Sequence, residues 1–381
     1  MKVVLLIGAF QALFFTALIL QKKQKAAHDY ILAAWLSFLA ILIGVYAYYT
    51  EELFDRSPHL ISSYISLLML HGPFLYFYTG ALVSGGKRIM TCKSLLHLIP
   101  IVLFNIYLAV AFSDPLLAAK VRLDYVDSGV KLPWLYIVFL LATAFSGPFY
   151  IVWVIKLLHG HEMYLLNNYS FHEKINLTWL RNLVLIFGVV WLALFVFAFL
   201  HHLMFLFTRD FCTNGLFISL TVFVLLTGYF GLKQSVILQP APPTDKSVMA
   251  DNKRRYSGSA LTKDAGHELM KRLEKLMQTE KPYLDAGLTL EQLSDRSEIP
   301  QHYLSQIINE RLNRNFFDYI NTYRVKEVMD KMADKKYENF SLLGIALDSG
   351  FNSKSAFNRF FKKATGNTPS DYKSSLLRSG R

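Results

Sequence analysis

The chain has 381 residues, of which 53% are hydrophobic and only 18% charged; an ordinary soluble domain carries about 25% charged residues. A single soluble globule of this composition would leave too much apolar surface in water, and 15% aromatic residues excludes a disordered, solvating chain. The net charge of +12 points in addition to nucleic acid or anionic lipid, so a membrane part joined to something else is expected, and the length allows two or three domains.

Charge is shared evenly along the chain, and apolar residues are not. Residues 1–233 hold 16 Lys+Arg against 10 Asp+Glu, and residues 234–381 hold 24 against 18, a surplus of six in each part. The first part contains seven apolar runs, at about 3–20, 30–50, 60–83, 94–112, 134–158, 183–207 and 214–232. Each is near the roughly 17–25 residues that cross a bilayer as a helix. Inside a bilayer every backbone polar group needs a partner within the protein, so the runs are predicted to be helices. The first run lacks a small-residue cleavage signature and is followed by Lys22, Lys23 and Lys25. It reads as an uncleaved helix entering from outside.

The loops agree on orientation. Segments 21–29, 84–93 and 156–182 carry nine cations (Lys22, Lys23, Lys25, Lys87, Arg88, Lys93, Lys156, Lys174 and Arg181), and the alternate segments carry six (Lys2, Arg56, Lys120, Arg122, Lys131 and Arg209). Positive charge stays on the cytoplasmic side. An odd number of spans then puts the N-terminus outside and residues 233–381 in the cytoplasm. The loop near 113–132 is balanced by Asp114, Asp124 and Asp127.

Several features of the spans admit two readings. His71-Gly72-Pro73 and Ser146-Gly147-Pro148 are predicted to bend their helices, as hinges or as fixed kinks. His71 is either an intramembrane site or a neutral imidazole hydrogen-bonded between helices. His201 and His202 lie near the outer end of the sixth span, and His159-Gly160-His161 lacks the further ligands of a metal site. Cys92 and Cys212 fall on opposite sides, so no disulfide is expected. Asn168-Tyr169-Ser170 and Asn176-Leu177-Thr178 match a glycosylation pattern but lie on the cytoplasmic side of this topology.

Residues 234–262 read as a linker, with Pro240, Pro242 and Pro243 stiffening it. Its Lys253-Arg254-Arg255 cluster suits lipid headgroups, DNA phosphates or plain solvent. Over 263–280, Leu269, Leu273, Leu276 and Met277 fall on one helical face. They predict a helix that packs beside the next domain or makes a homodimer contact.

From 285 onward the pattern is a series of short amphipathic helices. Thr289 caps a helix through 290–294, a turn at about 297–300 includes Pro300, and 301–309 forms a second helix. Leu304, Ile307 and Ile308 are its inward face, leaving Gln301, His302, Ser305 and Gln306 outward. A linking helix over 315–333 carries Phe317, Ile320, Val328 and Met332 on one stripe. Its length of roughly 27 Å approaches one DNA turn of about 34 Å. A second pair follows: Ser341 caps 342–347, Gly350 makes the turn, and Ser353 caps a helix from Lys354 to about Ala364. Phe357, Phe360 and Phe361 are its apolar face. Lys354, Ser355, Asn358, Arg359, Lys362 and Lys363 lie off that face.

The run Gly350-Phe351-Asn352-Ser353-Lys354-Ser355-Ala356-Phe357-Asn358-Arg359-Phe360-Phe361-Lys362-Lys363, with Gly366-Asn367-Thr368-Pro369-Ser370-Asp371-Tyr372, resembles the DNA-binding domain of the AraC/XylS family of bacterial transcription regulators. Tyr303-Leu304-Ser305, Phe316-Phe317-Asp318-Tyr319-Ile320-Asn321 and Tyr323-Arg324-Val325 agree. The resemblance covers 285–377, about a quarter of the chain, and the arrangement looks like the family's membrane-bound members. It implies a monomeric domain with two recognition helices entering successive major grooves of double-stranded DNA. Carried over, the first helix would present Gln301, His302, Ser305 and Gln306, and the second Lys354, Ser355 and Arg359. Arg359 can bond guanine O6 and N7, and Gln306 can pair with adenine. Lys362 and Lys363 suit phosphates. Asn313 stands where the family usually has Gly, and no Lys or Arg lies between 300 and 310.

The expected fold class is all-α: a seven-helix transmembrane bundle (1–233), a linker (234–262) and a cytoplasmic double helix-turn-helix domain (263–381). The expected function is a regulator in the bacterial inner membrane whose spans receive a signal, with DNA, membrane lipid, the transcription machinery and an unidentified signal ligand as partners. A passively anchored regulator and a transporter with a DNA-binding appendage are the alternatives; the second would want charged residues buried in several spans, and almost none are present. No phosphate-binding glycine loop, H-E-x-x-H or nucleophile elbow occurs, so neither enzymatic activity nor a cofactor or metal is expected.

Overall fold

The seven apolar runs become helices because long stretches of Leu, Ile, Val, Phe and Ala hold no helix breaker that their neighbours cannot accommodate. The computed structural model describes residues 2–48, 58–85, 92–114, 116, 133–171, 175–204, 209–234 and 263–379. The linker from 235, with Lys253-Arg254-Arg255, most of the loop 113–132, and Arg56, Lys87, Arg88 and Lys174 lie outside the described residues. So do the side chains of Cys92, His201, His202 and Cys212.

The first helices are α1 (Lys2–Leu20), α2 (Ala27–Ala47), α3 (Pro58–Leu67), α4 (His71–Val83) and α5 (Ile99–Ser113). They are followed by α6 (Trp134–Asn168), α7 (Thr178–Met204) and α8 (Arg209–Lys233). Among the described residues, seven helical segments are long and apolar enough to cross a membrane by length and composition. Among the described residues no strand occurs, and the fold is all-α.

Two compact units divide the chain: residues 1–160 with 177–244, and residues 161–176 with 245–381. In the first unit, Leu5, Ala12 and Ile19 of α1 pack with Leu36, Leu39 and Ile43 of α2, Tyr78 of α4, Leu180 and Val184 of α7, and Phe217 and Val224 of α8. Phe104 and Leu108 of α5 form a smaller core with Tyr136 of α6. The turn between α1 and α2 is fastened by Lys22, whose Nζ donates to Asp29 Oδ1 at 2.7 Å and to the Gly231 carbonyl at 2.7 Å. Asp29 is itself buried.

The two proline sites differ. A 3₁₀ turn, Leu68–Leu70, separates α3 from α4 just before Pro73, so the third run is an interrupted helix. Around Pro148 the helix α6 continues. That helix runs ten residues past the predicted end of its span, because apolarity ends near 158 while nothing in Leu158–Asn168 stops an α-helix. His71 accepts a hydrogen bond at Nδ1 from Trp35 Nε1 at 3.3 Å. Its proton therefore sits on Nε2, which has no partner among the described residues.

The second unit contains α9 (Lys263–Thr279), α10 (Leu290–Ser297), α11 (Gln301–Gln306), α12 (Phe316–Ala333), α13 (Leu342–Asp348), α14 (Lys354–Thr365) and α15 (Pro369–Ser379). It has two cores. Leu273 and Met277 of α9, Leu290 and Leu293 of α10, Leu304 and Ile308 form the first. Ile345, Phe351, Phe357, Phe360 and Phe361 form the second. The linking helix α12 feeds both, with Phe316, Tyr319 and Ile320 toward the first and Phe317, Val325 and Val328 toward the second. The predicted packing role of 263–280 is met by α9.

Candidate DNA-binding surface

Local chemistry sets each helix pair. Thr289 Oγ1 accepts the Gln292 N–H at 3.2 Å while the Gln292 side chain accepts the Thr289 N–H at 2.9 Å. This reciprocal box satisfies two otherwise unpaired donors of α10. The chain leaves α10 through Glu298, in a left-handed conformation at φ 50°, and Pro300 opens α11. Leu304, Ile307 and Ile308 are buried, which leaves Gln301 and His302 exposed and Ser305 and Gln306 half-buried. The predicted helix 301–309 is not uniform: after Gln306 it becomes a π turn, Ile307–Arg311. Asn313 follows in a left-handed conformation at φ 49°, the state Asn tolerates best after Gly.

The second pair repeats the plan. Ser341 Oγ accepts the Gly344 N–H at 3.0 Å, and Ser353 Oγ accepts the Ala356 N–H at 3.1 Å. Between them Gly350 sits at φ +90°, where a Cβ would run into the Tyr283 carbonyl. Ala356, Phe357, Phe360 and Phe361 are buried, so α14 exposes Lys354, Ser355, Asn358, Arg359, Lys362 and Lys363. Lys354, Asn358 and Lys362 line a cavity of about 310 Å³ with Thr368 and Ser370.

The side chains expected to face DNA are not equally available. The Arg359 guanidinium lies 5.4 Å from the Phe360 ring centroid, and Lys363 Nζ pairs with Asp318 Oδ1 at 3.3 Å. Gln306 donates from Nε2 to Glu310 Oε2 at 2.9 Å, and Ser305 Oγ accepts from Asn309 Nδ2 at 3.1 Å. The His302 ring lies tilted against that of Tyr303, with centroids 4.0 Å apart.

Arg324, part of the Tyr323-Arg324-Val325 motif, organises the unit. Arg324 is 1% exposed. Its Nε donates to the Tyr283 carbonyl at 2.8 Å, Nη1 to the Ser170 carbonyl at 3.1 Å and to Asn321 Oδ1 at 3.3 Å. Its Nη2 donates to the Asp285 carbonyl at 2.7 Å and to Ser170 Oγ at 3.0 Å. All five guanidinium donors are thus used. Burial pulls its pKa down to about 10, against the opposing field of Asp285. Beside it, burial pushes Glu327 up, but hydrogen bonds from Lys281 and Tyr283 and the charges of Lys281 and Lys331 outweigh this and hold the carboxyl below its ordinary value. Arg324, Gly350 and Asn352, which donates to the Ala286 carbonyl at 2.6 Å, all converge on the 283–286 backbone. They fasten the second pair to the first.

Two capped helix pairs joined by one linking helix define a helix-turn-helix domain, and residues 293–375 match the family described as "Helix-turn-helix domain". The match spans most of both helix pairs and includes the motif run 350–372, so this part of the chain is a helix-turn-helix domain of the AraC type. The curated relatives it matches include a Staphylococcus aureus (strain COL) protein described as an uncharacterized HTH-type transcriptional regulator, 33% identical over 86 residues. That match covers 23% of this chain and 11% of the relative's length. Another is the probable transcription factor PqrA of Proteus vulgaris, 25% identical over 107 residues, covering 28% of this chain and 81% of the relative. No solved structure matches.

Proposed function

We propose that the chain is a membrane-embedded, sequence-specific transcription regulator, with residues 1–233 spanning the bacterial inner membrane and receiving a signal. Residues 234–262 are the linker, and 263–381 bind DNA on the cytoplasmic side. One observation carries this reading: helices long enough to span a bilayer share a chain with an AraC-type domain, and their outer faces are apolar. Phe10 is 67% and Val189 68% exposed, and Ile7, Phe14, Val102 and Ile186 are exposed as well. Apolar side chains exposed together in water mark an interaction site or an aggregation hazard; facing lipid they are in their preferred surroundings.

Within the domain, Arg359 reads a guanine, Lys354, Ser355, Gln301 and His302 face the grooves with Ser305, and Lys362 and Lys363 hold phosphates. Gln306 pairs with adenine once it leaves Glu310. The membrane half of the reading is tested with reporter fusions after residues 25, 55 and 233. They should report inside, outside and inside; any other pattern breaks the topology.

A further inference from the structure

Residues 161–176 comprise the end of α6 and the chain leading into α7, yet they are part of the second unit. Leu166 packs on the core of the second helix pair. Asn168 Oδ1 accepts from Gln301 Nε2 at 3.4 Å. Tyr169 forms an isolated antiparallel bridge with Thr289. Ser170, 2% exposed, commits its N–H, carbonyl and hydroxyl at once. The N–H donates to the Leu288 carbonyl at 3.1 Å. The carbonyl accepts from Arg324 Nη1 at 3.1 Å and Asn321 Nδ2 at 3.3 Å, and Oγ accepts from Arg324 Nη2 at 3.0 Å.

We propose that the surface made by Leu288, Thr289, Gln301, Asn321 and Arg324 is a docking site for the chain's own segment 161–171, which clamps the domain and must release before the first recognition helix engages DNA. The inference rests on the assignment of Gln301 to DNA made above.

Three observations support it. First, the segment occupies what a helix-turn-helix gives to DNA: the N-cap of α10 and the first residue of α11. A recognition helix contacts base edges with its N-terminal residues, so a group bonded to Gln301 stands where a base would. Second, most of the Arg324 network does not depend on the segment. Three of the five Arg324 bonds, to Asn321, Tyr283 and Asp285, do not involve the segment, and water can reach the two freed donors. A switch needs both of its states to be stable. Third, Leu166 and Asn168 belong to α6, which is continuous from Trp134. A shift of that helix moves both contacts together, and a rigid element with two arrangements is what carries coupling.

The test uses the full chain in lipid nanodiscs, with Cys92→Ser and Cys212→Ser as background and Asn168→Cys with Gln301→Cys added. The probe is a 40-base-pair duplex selected by the wild-type full chain from a random pool. The disulfide should form in most molecules without DNA, and the oxidised protein should bind the duplex at least tenfold more weakly than the same protein after reduction. Asn168→Ala alone should raise affinity several-fold. Equal affinity before and after reduction, failure of the disulfide to form, or unchanged or lower affinity in Asn168→Ala overturns the clamp alone. If the wild-type chain selects no duplex, the regulator reading itself fails and the clamp falls with it.

Discussion

The first helix pair offers DNA a short recognition helix, Gln301–Gln306, that passes into a π turn and has no Lys or Arg between 300 and 310. The second offers Lys354–Thr365, capped by Ser353, with Lys354, Arg359, Lys362 and Lys363 exposed. Both arise from one scheme of cap, turn and apolar face. The difference is what each can contribute. Cations supply the salt-dependent bulk of DNA affinity, so in the proposed function the second pair is the anchor. Neutral amides and imidazole supply adjustable contacts, and in the first pair two of them, Gln301 and Gln306, are already engaged inside the protein.

This contrast can be broken most violently at Gly350. A valine there would meet both a positive φ and the Tyr283 carbonyl, costing roughly 2–5 kcal/mol of domain stability. Duplex binding by the full chain should be lost. If binding survives, the second pair is not the anchor. Next is Arg359→Ala, which should relax base preference at one position by about 1–3 kcal/mol. Selection of duplexes from a random pool reads this; an equal loss on every sequence would make Arg359 a phosphate contact. Ser353→Ala removes the cap of α14 and should cost about 1 kcal/mol, seen as lower thermal stability with unchanged base preference. Lys362→Ala should lower the slope of log affinity against log salt by about one, and His302→Ala should leave that slope unchanged.

The smallest effect concerns pH. The Glu327 carboxyl titrates below its ordinary value of 4.5, so its contribution is fully present above that value. It is lost as pH falls through the lower, folded value. Unfolding followed from pH 7 down to acid should show the wild type losing stability relative to Glu327→Gln only below about pH 5. A parallel decline of the two proteins would remove Glu327 from the account.

Much of this contrast is legible in the sequence, because it depends on short-range rules. Thr289, Ser341 and Ser353 declare their caps by spacing, Gly350 and Asn313 their left-handed turns, and the apolar stripe of α14 its exposed cations. The apolar runs announce their helices by length. What the sequence conceals is long-range. Arg324 finds Ser170, 154 positions away, and its other acceptors are chiefly backbone carbonyls, which carry no residue signature. The membership of 161–176 in the second unit is hidden for the same reason. The π turn after Gln306 is hidden because the apolar spacing of Leu304, Ile307 and Ile308 also suits an uninterrupted α-helix.

The central claim joins a membrane-spanning region and a DNA-binding domain in one working molecule. It is tested most directly by measuring duplex binding to the full chain reconstituted in lipid nanodiscs, as salt is raised from about 50 to 200 mM. The account predicts that disc-embedded protein retains a selected duplex and that affinity falls steeply across this range. Protein that enters the discs but binds no duplex, or binds all duplexes alike, would contradict it.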